Sequence, residues 1–174
     1  MKVFKFGGAS VKDAAGVKNL SSIVHQQHGQ LIVVVSAMGK TTNLLETLCN
    51  AYFHQDPKTT AIMKELKNFH LDIVNTLFPL NDTIHKHLEE LFTSLENILA
   101  SESSLCYDYE YDRIICFGEL ISTTIISDYL KMKGIENQFI DIRKFLKTDQ
   151  NYRNANIDLE LSEQLCKDAF DFNT

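Results

Sequence analysis

The run Lys5-Phe6-Gly7-Gly8-Ala9-Ser10 holds the first residues able to do chemistry. A lysine within a short apolar run, followed closely by two glycines and a serine, is a combination suited to an oxyanion. Glycine leaves backbone N–H groups approachable, because a Cβ would block the phosphate oxygens, and it tolerates a turn with positive φ. A helix starting just after such a turn would add the positive end of its dipole. Lys5 would set a cation beside the same anion. Taken alone, the run fits either phosphate binding or an ordinary strand-to-helix turn.

Gly39-Lys40-Thr41-Thr42 looks like the end of a Walker A loop, but Val34 stands where that loop needs its first glycine, so the backbone nest cannot form. The better reading is a second strand-to-helix turn, with Ser36, Gly39 and Thr42 at the carboxyl end of a sheet, the side on which open α/β sheets bind ligands. Glu119 interrupts the apolar run Ile114–Ser122. It is either a solvated helix residue or the partner of a cationic group, and the adjacent Gly118, unfavourable in a helix, favours close approach of a ligand or another backbone. His85 and His87 are two apart, which on a helix separates them too far to share a metal. His25 and His28 fall at a helix end, where interaction with the dipole accounts for them. No zinc, calcium-loop or nucleophile-elbow pattern occurs.

These residues need elements to place them. Val3 to Phe6 reads as a short strand, and Ser10 as the cap of a helix carrying Ala14, Val17, Leu20 and Val24 at helical spacing, stopped by Gly29. Leu31 to Val35 is continuous and β-branched, a strand covered on both faces. Together they predict a right-handed βαβ unit. From roughly 42 to 133 the periodicity is helical. Leucines 44, 45 and 48 mark one helix, and residues 62–77 a second ending at Pro79. Residues 84–99 mark a third, and 109–130 a fourth that stops at Gly134. Residues 137–141 read as a third strand and 158–170 as a last helix. Three parallel strands leave an unpaired apolar edge, so the sheet is expected to be incomplete.

With 44% hydrophobic and 23% charged residues the chain has globular composition. A net charge of -6, with basic residues scattered, argues against nucleic acid as a partner. The longest apolar stretch is too short for a membrane span. Cysteines 49, 106, 116 and 166 form no CxxC pair and are expected as buried thiols in helical segments of a cytoplasmic protein.

Three ordered blocks resemble one family. Lys5-Phe6-Gly7-Gly8-Ala9-Ser10-Val11 is similar to the aspartokinase signature Lys-Phe-Gly-Gly-Thr-Ser-Val. Val33 to Leu45, with Ser36-Ala37 and Thr42-Asn43, resembles that family's second block, and Phe117-Gly118-Glu119-Leu120-Ile121-Ser122-Thr123 its third. Phe139 to Lys144 also fits. The resemblance implies an α/β, amino-acid-kinase-like three-layer αβα sandwich over 1–174, incomplete, with a large helical insertion between strands two and three. It also implies transfer of the ATP γ-phosphate to the β-carboxylate of L-aspartate, with Mg2+ accompanying ATP and no tightly bound cofactor or dedicated metal site.

Carried over by residue, Lys5 would be catalytic. Lys5, Phe6, Gly7, Gly8 and Ser10 would face the phosphates, and Ser36, Thr42 and Glu119 would hold aspartate. Ala9 departs from the signature threonine, removing one hydroxyl. The family's later loop, with its substrate-binding arginine and catalytic aspartate, is absent from these 174 residues. The chain is therefore expected to be the N-terminal part of an aspartokinase, inactive alone and homo-oligomeric when entire. The rival expectations are a non-catalytic binding or assembly module of the same fold, and another amino-acid kinase.

Overall fold

The computed structural model describes residues 1–80 and 82–170. Strands β1 (Lys2–Phe6) and β2 (Leu31–Val35) pair in parallel, with Lys2 opposite Leu31 and Phe6 opposite Val35. The connection runs through a 3-10 turn, Gly8–Val11, and helix α1 (Ala14–His25). Asp13, not Ser10, caps α1, its Oδ1 accepting from the Gly16 N–H at 2.8 Å. The reason is the intervening 3-10 turn, which moves the first free helical amides three residues downstream of the expected start. Ser10 instead donates its backbone N–H to the Gly7 carbonyl at 2.9 Å.

The helical block follows as α2 (Thr41–Phe53), α3 (Thr59–Leu77), α4 (Thr83–Ala100), α5 (Tyr107–Ile115) and α6 (Phe117–Met132). Pro57 and Pro79 lie between helices, where the missing N–H costs nothing. The single helix expected over 109–130 is two, divided at Cys116. The Cys116 thiol donates to the Arg113 carbonyl at 3.4 Å at this break, and Gly118 two residues on, a poor helix former, packs directly against Ala37.

The core lies within this block. Leu45, Leu48, Leu66, Leu88, Leu95, Ile121 and Ile125 are fully buried there, and α1 packs onto it through α3 and α6. Phe6, Leu31, Val33 and Val35 turn the inner face of the ribbon onto this core. The opposite face carries Val3 and Val34, 59% and 45% exposed.

Among the described residues the sheet has two strands and helices on one face, two layers of the expected three. Residues 137–141 are not a strand, because their polar groups bond locally rather than along a ladder. Asn137 bonds the Ser127 hydroxyl at 2.7 Å and carbonyl at 3.1 Å, and Asp141 caps a 3-10 turn, Ile142–Lys144. Helix α7 (Leu159–Ala169) ends the described chain. No helix among the described residues is long and apolar enough to cross a membrane. Of the cysteines only Cys49 is fully buried, and Cys106 is exposed just before α5.

Candidate functional site

Two strand-to-helix turns meet at the carboxyl end of the ribbon. Phe6 accepts the Ser36 N–H at 3.0 Å and Gly8 accepts the Gly39 N–H at 3.1 Å, so the first turn is laced to the second. A Cβ on Gly8 would stand 2.6 Å from the Ala37 oxygen, which makes glycine obligatory there. The obligation comes from protein packing rather than from room for a ligand. Gly7 is the reverse case, with nothing within 4 Å of the corresponding position. The positive φ belongs to neither, falling at Gly39 (φ +56) in the second turn. The helix dipole expected behind the glycines is also engaged elsewhere, since Asp13 occupies the α1 N-terminus.

Lys5, the penultimate residue of β1, lies on the uncovered face of the ribbon, beside its register partner Val34. Its Nζ lies 3.5 Å from the Ser36 Oγ, one strand away. Phe6 contributes through its backbone, its ring being turned inward onto the core. Ser10 is exposed in the 3-10 turn. Thr42, half-buried in the first turn of α2, makes no side-chain hydrogen bond to a described residue.

Glu119 enters from the helical block. It sits in the first turn of α6, where a carboxylate complements the helix dipole. Its Oε1 accepts the Ala37 N–H at 3.1 Å. Gly118 makes this possible, since a Cβ there would lie 2.8 Å from the Ala37 Cβ and 3.2 Å from Leu45 Cδ1. The close approach anticipated at Gly118 is therefore to another segment of the chain. Lys5 and Glu119, a cation and an anion from different elements, thus bracket Ser36-Ala37. An amino acid bearing an ammonium and a carboxylate is complementary to such a pair, and a phosphoryl group would fall on the lysine side.

His70 on α3 is not among the residues singled out from the sequence. It is fully buried and approaches Thr41 Oγ1 to 3.3 Å with Nε2. A signal was available, since His70 lies four residues after Leu66, on the same apolar stripe. Nor does any side-chain pattern point to the Ala37 N–H, the backbone group that holds Glu119. Arg143 is a further neighbour, bonding Cys116 Sγ at 3.2 Å while its other nitrogens grip Asp141. Burial, offset by this arginine, raises the Cys116 thiol pKa.

The fold is a parallel α/β unit in which a lysine and a carboxylate bracket one turn at the strand ends. The chain belongs to the amino acid kinase family, which it matches over residues 1–171. It is 31% identical over 164 residues to the chloroplastic aspartokinase 2 of Arabidopsis thaliana, covering 89% of this chain and 29% of that protein. The crystal structure of Escherichia coli aspartokinase III in complex with lysine and aspartate superimposes with a TM-score of 0.86 at 25% identity, over 96% of this chain and 37% of that one. The same enzyme in complex with aspartate and ADP gives 0.85, with the same coverage. The chain thus spans a minor part of each relative's length and corresponds to the N-terminal part of aspartokinases.

Proposed function

We propose that this chain supplies the aspartate-holding and phosphoryl-facing half of an aspartokinase site. In that reaction a β-carboxylate oxygen of L-aspartate attacks the γ-phosphorus of ATP, the bond to the β-phosphate oxygen breaks, and ADP leaves. Phosphoryl transfer asks the protein for positioning and charge neutralisation more than for covalent chemistry. Lys5 offsets charge on the transferring group, with Gly7, Gly8 and Ser10 along the phosphates and Mg2+ arriving with ATP. Glu119 meets the substrate ammonium, and the hydroxyls of Ser36 and Thr42 take its polar remainder.

The observation that carries this reading is the bracketing of Ser36-Ala37 by Lys5 at 3.5 Å and Glu119 at 3.1 Å. Aspartokinase relatives and the structures solved with aspartate and with ADP support it. The same reading makes the protein a cytoplasmic homo-oligomer with neither nucleic-acid nor membrane partners. A second reading, a binding or assembly module of this fold, is favoured by the uncovered sheet face bearing Val3 and Val34. Calorimetric titration of the chain with L-aspartate, L-glutamate and MgATP separates them. The kinase reading expects heat with aspartate and MgATP and none with glutamate. Silence with all three favours the module.

A further inference from the structure

Helix α2 begins without a capping side chain: its N-cap residue is Lys40, which makes no cap hydrogen bond. Yet this helix start is where the β2–α2 turn must be held still, because Ala37 in that turn binds Glu119 and Thr42 follows one residue into the helix. The fixing contact comes from across the helical block. His70 Nδ1 lies 2.8 Å from the Leu66 carbonyl, which can only accept, so Nδ1 carries the proton. Nε2 is then the bare nitrogen, and the Thr41 hydroxyl donates to it at 3.3 Å.

Thr41 is 2% exposed and His70 0%. Thr41 also donates its backbone N–H to the Met38 carbonyl at 3.0 Å, closing the turn. Its Cγ2 lies 3.6 Å from where a Gly118 Cβ would stand. One residue therefore links the turn, the start of α2 and the approach of α6, and His70 holds it. The imidazole ring is itself fixed by edge contacts with Phe69 and a tilted contact with Phe92, at centroid distances of 4.9 and 6.3 Å. Burial lowers its pKa to about 4, so the ring is neutral and able to accept at neutral pH.

We infer that His70 is a positioning residue for the substrate turn, holding Thr41 so that Ala37, Glu119 and Thr42 keep their mutual geometry. The inference deepens the aspartate-site reading and rests on it for its functional half. An apolar side chain would fill the same space with no desolvation to compensate, so the imidazole is present for the bond it accepts.

The test is amide hydrogen exchange, resolved by NMR, on the intact chain and on His70→Phe, His70→Gln and Thr41→Val. Phenylalanine keeps an aromatic ring but cannot accept, whereas glutamine presents an acceptor near the Nε2 position. Exchange at the Gly39, Thr41 and Leu44 amides should accelerate roughly tenfold in His70→Phe and Thr41→Val. It should recover in His70→Gln, with amides of α4 unchanged throughout. Uniform acceleration across α2 and α4, or no rescue by glutamine, would overturn the inference. If His70→Phe does not fold, the other two variants still decide it. A parallel aspartate titration should show weakening by roughly tenfold in Thr41→Val. If the unmodified chain ignores aspartate while the exchange pattern holds, the substrate assignment falls and His70 is left as the anchor of the turn.

Discussion

A methyl group placed on Gly118 would meet the Ala37 methyl at 2.8 Å. That single distance joins the helical block to the β2–α2 turn and sets where the neighbouring Glu119 carboxylate can reach. Gly118→Ala therefore sets two effects against each other. Helix propensity favours alanine by about 1 kcal/mol, while overpacking against Ala37 and Leu45 costs about 1–3 kcal/mol. The clash is to two buried side chains on a packed turn, so it wins. Urea unfolding should show a net loss of about 1 kcal/mol, with the Ala37 amide resonance displaced. A gain in stability would mean that α6 can retreat freely.

Glu119→Gln separates charge from structure. The amide oxygen still accepts the Ala37 N–H, so the midpoint of thermal unfolding should change by no more than about 2 °C. Aspartate affinity should fall by tenfold or more, since a charge-assisted bond to the ammonium is replaced by a neutral one. Equal affinity in the two proteins would remove Glu119 from the site.

His70 makes stability depend on acid. Its folded pKa, about 4, lies below the ordinary 6.5. Between those values the unfolded chain binds a proton that the folded one refuses, so stability rises with pH through this window and is lost as pH falls through it. The loss is about 3 kcal/mol by pH 4. A denaturant series from pH 7 to 4 should show this limb, and His70→Phe should flatten it.

The thiols should react in order of exposure. Cys106 is exposed, whereas Cys49 is buried and its pKa pushed up to about 11, first by desolvation. With a thiol-specific reagent at pH 8, Cys106 should be labelled fastest and Cys49 only on unfolding. Early modification of Cys49 would show that α2 opens locally.

The βαβ opening and the helical block were legible because each rests on local pattern: a glycine turn, a β-branched run, leucines at helical spacing, prolines at borders. The expected third strand at 137–141 failed for the opposite reason. A strand exists only through a partner, and Asn137 and Asp141 find local partners instead. Similarly, no periodicity reveals that the helix divides at Cys116, because the apolar stripe runs on from Ile114 to Ile121 across the break. Ser36 and Glu119 were singled out in the sequence as expected substrate residues, but the bond between their segments runs through the Ala37 backbone, which no side-chain pattern encodes. His70 was hidden because a polar residue on an apolar stripe is easily read as an interruption, when it bonds Thr41 at the start of α2.

The central claim is that Lys5, Ser36, Thr42 and Glu119 form one aspartate-holding constellation. The most direct measurement follows the Ala37 amide resonance while L-aspartate is added to the labelled chain. Saturable shifts are expected at Ser36, Ala37 and Thr42, requiring at least roughly tenfold more aspartate in Glu119→Gln and absent with L-glutamate. Resonances that stay still with aspartate, or move equally with glutamate, would contradict it.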